Sequence, residues 1–306
     1  MTAKVILNPY AGRWLAQKRQ AEAEAALQAG GIDYELSITN EPGHGLLLAE
    51  QAAREGFSPI ISAGGDGSIS EVANGVAKAA ETNGELAEGA HLTPIGVLPL
   101  GTANDLVDNL GLPKDLQAAV AVIAAGKTRL MDLCIVNGRY FDNNSAIGLE
   151  PFITLIQQDM KRLKGTLRYL VATLRGVFAK PEWSMQLEWD NGEYRGPITL
   201  VTVGNSPRTG GLFYVTPHAN PFDGKLTFVY GYMPTRMQIL KLLPRTMKPG
   251  EGNYVEHPDI HEVHTTWLRV HSDQPTPAHA DGEIISPAIH DLEYRVYPAR
   301  LPILIP

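Results

Sequence analysis

Cysteine is almost absent from this chain. Cys134 is the only one in 306 residues, which excludes an intrachain disulfide and a cysteine-based zinc site. Long apolar runs are missing as well. The longest uncharged stretch, Gly89–Asn104, is broken by Pro94, Gly96, Pro99 and Gly101, whereas a membrane-spanning helix needs about 20 continuous apolar residues. The opening Met1–Pro9 segment lacks a basic region followed by an apolar run, so no secretory signal is expected. Positive charge is not in excess either: 26 Lys and Arg face 33 Asp and Glu, for a net charge of −7. Coating of nucleic acid through bulk charge is therefore disfavoured, and no nucleic-acid partner is expected. A cytoplasmic protein with no membrane span is the resulting expectation.

What is present is an ordinary globular composition, 44% hydrophobic and 19% charged. The length is about twice the ~150-residue prior for one domain. Up to residue 128, short apolar runs alternate with helical patterns. Lys4–Leu7, Tyr34–Ile38, Pro59–Ser62 and Ile95–Leu98 read as strands. Trp14–Ala29, Gly45–Arg54, Ile69–Ala80, Ala103–Asn109 and Leu116–Ala125 read as helices, and Leu86–Leu92 as a loop. Strands spaced by helices imply βαβ units and a parallel sheet.

From Arg129 onward the pattern is mostly strands: Arg129–Val136, Tyr140–Asn143, Met185–Trp189, Ile198–Val203, Leu226–Tyr230 and Val263–His271. Two helical segments interrupt them, Ile153–Phe178 and Arg236–Leu243. The expected architecture is α/β in two domains, a parallel-sheet domain over residues 1–128 and a β-rich domain over 129–306. The terminal Leu301–Ile305 run reads as a last strand returning to pack on the body, against the first domain.

Three glycine-rich turns follow strands and precede helices in the first domain. They are Asn8-Pro9-Tyr10-Ala11-Gly12, Gly64-Gly65-Asp66-Gly67-Ser68 and Gly101-Thr102-Ala103-Asn104-Asp105. In open α/β sheets ligands bind at the carboxyl ends of strands, where such turns converge. Glycine lets the backbone approach phosphate oxygens closely, and the following helix N-terminus supplies oriented N–H groups. Ser68 and Thr102 add hydroxyls, while Asp66 and Asp105 add carboxylates suited to Mg²⁺. One Gly-Asp-Gly alone is usually a tight turn; three loops at strand ends in one domain point to phosphate. No Gly-x4-Gly-Lys-Ser/Thr is present, which excludes a P-loop NTPase, and Ser70 stands where the dinucleotide fingerprint needs its third glycine.

Further along come Asp132, Asn144 with Gly148, Pro217-x-Ala219, Asp223-Gly224-x-Leu226 and Asp281-Gly282-Glu283. Together with the three turns and Glu71, this ordered set resembles the diacylglycerol kinase catalytic family, which includes sphingosine, ceramide and bacterial lipid kinases. The resemblance spans nearly the whole chain. It implies an active site in the cleft between an N-terminal α/β domain and a C-terminal β-sandwich-like domain. The implied reaction transfers the γ-phosphate of ATP, with Mg²⁺, to a hydroxyl of diacylglycerol or a related lipid.

The resemblance also implies residue roles. Nucleotide contacts would fall on Asn8, Pro9, Tyr10, Ala11 and Gly12, on Thr39, on Gly65, Asp66, Gly67, Ser68 and Glu71, and on Gly101, Thr102 and Asn104. Asp66, Asp105 and Asp132 would organise the catalytic Mg²⁺, and Asn220, Asp223 and the Lys225 carbonyl a structural one. Asp281, with Glu283 beside it, would supply the base at the acceptor hydroxyl. A lipid hydroxyl is weakly acidic and needs such a carboxylate as the new bond forms. Ser68 replaces the family's commoner threonine, Phe222 stands where many members have an aspartate, and Ser206 where glycine is usual.

Asp159–Lys180 carries Lys161, Arg162, Lys164, Arg168, Arg175 and Lys180 among apolar residues at helical spacing. A helix with a solvated basic face is the ordinary reading, and transient membrane-surface contact the alternative. A homodimer is compatible with these surfaces. His257, His261 and His264 are expected on a surface rather than around a metal, and Cys134 in the core. Two rival functions are a NAD kinase-like phosphotransferase, which shares the Gly-Gly-Asp-Gly loop, and a non-catalytic protein that senses nucleotide and lipid.

Overall fold

The computed structural model describes residues 2–87, 89–160, 165–179 and 181–306, with the backbone alone over 165–169. The first part runs β1 (Ala3–Leu7), α1 (Ala11–Lys18), α2 (Gln20–Ala29), β2 (Tyr34–Ile38), α3 (His44–Arg54), β3 (Ile60–Gly64) and α4 (Asp66–Ala79). A two-rung hairpin, β4 (Glu81–Thr82) and β5 (Glu85–Leu86), ends at the first residue of the Leu86–Leu92 segment expected as a loop; β6 (Ile95–Pro99), α5 (Asp105–Asn109) and α6 (Leu116–Ala125) follow. Strands β6, β3, β1 and β2 lie side by side and parallel. Alternation along β1 covers both faces of that sheet. Ala3, Val5 and Leu7 pack with Leu27, Leu116 and Val120, whereas Ile6 packs with Ile69, Val72 and Val76 of α4. Each such buried side chain stabilises by roughly 1.5–3 kcal/mol.

The second part contains β7 (Thr128–Val136), β8 (Arg139–Phe141), β9 (Asn144–Gly148), α7 (Leu149–Asp159), α8 (Gly165–Ala179), β10 (Trp183–Trp189), β11 (Gly192–Ile198) and β12 (Leu200–Gly204). Then come β13 (Leu226–Gly231), α9 (Arg236–Leu242), β14 (Ile260–Thr265), β15 (Trp267–Ala280) and β16 (Glu283–Leu304). Its core is built from Phe141, Ile147, Leu187, Val201, Phe228, Val270 and Tyr294. Cys134 is fully buried there, and burial pushes its thiol well above the ordinary range.

One 14-stranded sheet joins the two parts. The 22-residue β16 pairs antiparallel with β15 and β7 and then reaches β6 in parallel, Ile303 opposite Ile95. The last strand thus lies in the first domain's sheet. A second tie is polar. The buried Asn74 on α4 donates to Tyr140 O (2.8 Å) and accepts Tyr140 N–H (3.0 Å), so a side-chain amide takes the place of a neighbouring strand beside β8.

Several expected boundaries differ. The single helix over Trp14–Ala29 is two helices with a break at Arg19, and Gly12, Arg13 and Trp14 adopt left-handed φ of 59°, 59° and 72°. The segment Ile153–Phe178 is likewise α7 and α8, and Val263–His271 divides between β14 and β15. Of the basic residues expected on a helix, Lys161, Arg162, Lys164 and Lys180 lie outside the described residues, as does the side chain of Arg168.

Replacing Asn74 by Ala would leave the Tyr140 N–H and C=O buried without partners, at about 1–3 kcal/mol each. Denaturant unfolding of Asn74→Ala is therefore expected to show a loss of about 2–5 kcal/mol. An unchanged unfolding midpoint would show that the tie does not hold the two parts.

Candidate active site

The three glycine turns meet at the carboxyl ends of β1, β3 and β6. Asn8 N–H donates to Ala63 O (3.0 Å), its Oδ1 accepts Tyr10 N–H (3.0 Å), and its Nδ2 donates to Ser68 Oγ (3.0 Å). The second and third turns touch backbone to backbone: a Cβ on Gly101 would lie 2.4 Å from Gly65 Cα. Gly12 has φ +59°, and a Cβ there would come within 2.9 Å of Leu100 O. Only glycine permits this convergence. Pro9 is buried beneath it, Ala11 and Gly12 are partly exposed, and Gly67 and Thr102 are exposed. Tyr10 and Trp14 form an edge-to-face pair at 4.5 Å, each about half exposed. Tyr10 Oη donates to Asn40 O (3.3 Å), next to the buried Thr39, whose N–H donates to Leu7 O (2.9 Å).

Asn104 sits in the left-handed region at φ +52°. Its Nδ2 donates to Gly101 O (3.2 Å), while its Oδ1 is buried without a donor. Glu71, which the resemblance implies as a nucleotide contact, is held at the start of α3. Its two oxygens accept Gly43 N–H and Gly45 N–H, both at 2.8 Å, and so fix the start of α3.

Asp66 opens α4 and accepts Leu106 N–H (3.1 Å), which sets it beside Asp105 at the start of α5. Burial, and then the charge on Asp105, push the Asp66 carboxyl up to about 6. Asp105 accepts Gly211 N–H (2.9 Å) and Arg208 Nε–H (3.1 Å), yet burial still raises it. Arg208 also pairs with Asp108. The expected trio of Asp66, Asp105 and Asp132 does not form. Asp132 lies on β7 and accepts Gly224 N–H and Ala299 N–H, both at 2.7 Å, so its neighbour is the Asp223–Gly224 turn. In that turn Asn220 Oδ1 accepts Phe222 N–H (3.2 Å) and Asp223 Oδ1 accepts Lys225 N–H (3.0 Å). Phe222 carries the Arg129 guanidinium 3.5 Å above its ring. Among the described residues, no three His, Cys, Asp or Glu side chains converge on one point as an ion cage. His257, His261 and His264 have separate partners in Asp259, Tyr230 and Thr227.

Asp281 stands at the tight connection between β15 and β16, with φ +47°. Its N–H donates to Asn144 O (2.7 Å); its Oδ1 accepts Asn143 N–H (3.1 Å) and Asn144 N–H (3.0 Å), and its Oδ2 accepts Asp142 N–H (3.2 Å). Against it lies Asp142, which is buried and has an Oδ2 without a donor. Burial raises both carboxyls, and Asp142 the further, because the charges of Asp281 and Asp66 also bear on it. Three backbone N–H groups favour the ionised form of Asp281, whereas no donor reaches Asp142 Oδ2. Glu283, two residues on, is ion-paired with Arg139 and does not join this cluster.

Asp142, Asn205 and Arg208 were not foreseen as site residues. Asn205 Nδ2 donates to Asp132 O (2.9 Å) and Asp142 O (3.0 Å), holding the two acidic strands together. The available signal was an aspartate inside the otherwise uncharged run Tyr140-Phe141-Asp142-Asn143-Asn144.

Known proteins share this organisation. The profile of the family described as "Diacylglycerol kinase catalytic domain" matches residues 2–136, and that of "YegS C-terminal NAD kinase beta sandwich-like domain" matches residues 144–305. A diacylglycerol kinase of Staphylococcus carnosus (strain TM300) is 26% identical over 282 residues, covering 92% of this chain and 88% of that protein. One from Staphylococcus haemolyticus (strain JCSC1435) is 26% identical over 284 residues, covering 92% of this chain and 82% of its own. The fold matches the crystal structure of a diacylglycerol kinase from Bacillus anthracis str. Sterne, with a TM-score of 0.73 at 20% identity over 100% of this chain and 97% of that one. Two adjoining profiles that between them run almost from end to end leave no ambiguity: the chain belongs to the diacylglycerol kinase family.

Proposed function

We propose that this chain is a lipid kinase that transfers the γ-phosphate of ATP, with Mg²⁺, to a hydroxyl of diacylglycerol or a related lipid at the membrane surface. The observation that carries the reading is the meeting of two halves. Glycine turns suited to phosphate come from the first domain, and the charge of Asp66 among them bears on the Asp142–Asp281 pair of the second.

In this reading the turns at Asn8–Gly12, Gly65–Ser68 and Gly101–Asn104 bind the triphosphate through backbone N–H groups, with Ser68 and Thr102 adding hydroxyls. Tyr10 and Trp14 flank the nucleotide's entrance. Asp281 takes the proton of the acceptor hydroxyl on Oδ2, the oxygen with the fewer donors. Burial raises its basicity toward that task.

A divalent cation fits the donor set. Asp66 is held up to about 6 by burial and by Asp105, a penalty that a bound cation relieves. Asp66 would hold the catalytic Mg²⁺, which when bound neutralises charge on the phosphates. Asp132, Asp223, Asn220 and the Lys225 carbonyl form an all-oxygen set suited to a second, structural ion.

Labelled phosphate transfer in mixed micelles tests the reaction, with diacylglycerol, monoacylglycerol, sphingosine, ceramide and NAD as acceptors. Asp281→Asn is expected to lower transfer by about 10²–10⁴-fold with nucleotide binding retained. Glu283→Gln, whose carboxylate faces Arg139 instead, should keep most of it. Labelled NADP, or nucleotide binding with no labelled product at all, would overturn the lipid-kinase reading.

The Asp66 carboxyl gives a second test. Its folded value of about 6 exceeds its ordinary 3.8, so its contribution to stability is complete below about 3.8 and is lost as pH rises through about 6. In EDTA at pH 7.5, Asp66→Asn should therefore be more stable than the parent protein, by up to about 3 kcal/mol. The gain should vanish near pH 4, and Mg²⁺ should stabilise the parent alone. Equal stability at both pH values would refute this account of Asp66.

A further inference from the structure

The helical layer of the second domain carries a surface for which the site has no use. α8 runs back along α7 so closely that a Cβ on Gly176 would lie 2.6 Å from Ile153 Cγ1. It buries mainly small residues and leaves large apolar ones outside, where an ordinary packed helix carries polar residues. The small residues Ala172, Thr173 and Gly176 are buried with Val177, whereas the large Leu170 and Phe178 are 48% and 60% exposed, with Arg175 exposed between them. Arg236 Nε donates to Phe178 O (2.9 Å), which joins the start of α9 to the end of α8. Beside it Met237 is 60% exposed, and Lys241 follows one turn later on the same side of α9.

Neither described stretch, 170–179 nor 236–242, contains an acidic residue, although the whole chain carries a net −7. Cations set among separated apolar tips match phosphate headgroups over hydrocarbon. A partner helix would instead call for an uninterrupted apolar stripe. Position agrees with this. The close approach of Gly176 to Ile153 brings the end of α8 back to the second turn of α7, and α7 begins where β9 ends. Along β9, that end lies about 13 Å from Asn144, the residue that holds Asp281.

We propose that Leu170, Phe178 and Met237, with Arg175, Arg236 and Lys241, form the face by which the protein docks on an anionic bilayer. The choice of a bilayer as partner rests on the lipid-kinase reading; the surface itself does not.

Vesicle flotation tests it without reference to activity. The parent protein should float with phosphatidylcholine vesicles containing phosphatidylglycerol, more weakly with pure phosphatidylcholine, and less as salt is raised. F178S/M237S should lower partitioning by about 10-fold or more, and R175E/K241E should abolish the preference for anionic vesicles. Both variants should keep the parent's unfolding midpoint. Absence of flotation with anionic vesicles, or parental flotation of F178S/M237S, would overturn the proposal. So would sedimentation showing that F178S/M237S converts a dimer to monomers, which would make this face a contact between copies. Intact flotation with no phosphate transfer to any lipid would support the docking face and overturn the kinase reading alone.

Discussion

The buried amide of Asn74 is the interaction on which the site's geometry depends. Asn74 lies on the helix that Asp66 opens, and Tyr140 lies two residues before Asp142. By pairing with both backbone groups of Tyr140, the amide fixes α4 of the first domain against β8 of the second. A hydrophobic contact could hold these elements together, but it would not fix their register. A side chain with one donor and one acceptor aimed at a single residue does, because a slip would leave buried polar groups unpaired. The β16 strand reinforces the arrangement by belonging to both parts of one sheet, which leaves little freedom for hinge motion at the sheet itself.

That rigidity brings like charges together. Asp66, Asp105, Asp142 and Asp281 come from four separate segments, and each has its carboxyl raised by burial. A fold selected for stability alone would place a cation or an apolar residue among them. Arg208 does this only for Asp105 and Asp108, at the edge of the group. Backbone N–H groups around Asp281 relieve part of the remaining charge. The carboxyls that burial raises are therefore held at a cost to the fold.

Local features were legible in the sequence because they depend on neighbours in the chain. The strand Tyr34–Ile38 and the helix Leu116–Ala125 follow from periodicity, and the glycine turns from their position after apolar runs. What could not be read was decided by distant segments. Asn144–Gly148 has poor strand propensity, yet it is a fully buried strand because β12 and β15 flank it. The length of β16 is hidden by Pro287, Pro298 and Pro302, which read as breaks. At Pro298 the strand does bulge: pairing resumes only at Leu301, and Ala299 turns its N–H toward Asp132. Asp142 escaped for the same reason, since its significance comes from Asp281, 139 residues away.

The motif carboxylates prove to be of two physical kinds. Glu71, Asp132 and Asp281 each accept backbone N–H groups from segments remote in sequence, and so shape the loops around the site before any chemistry occurs. Asp66 differs. It accepts the Leu106 N–H of α5, has no basic partner, and sits at the head of a helix whose dipole favours negative charge. Despite that dipole its carboxyl is pushed up to about 6. A carboxylate left under-neutralised at a helix N-terminus has the capacity to take up an external positive charge.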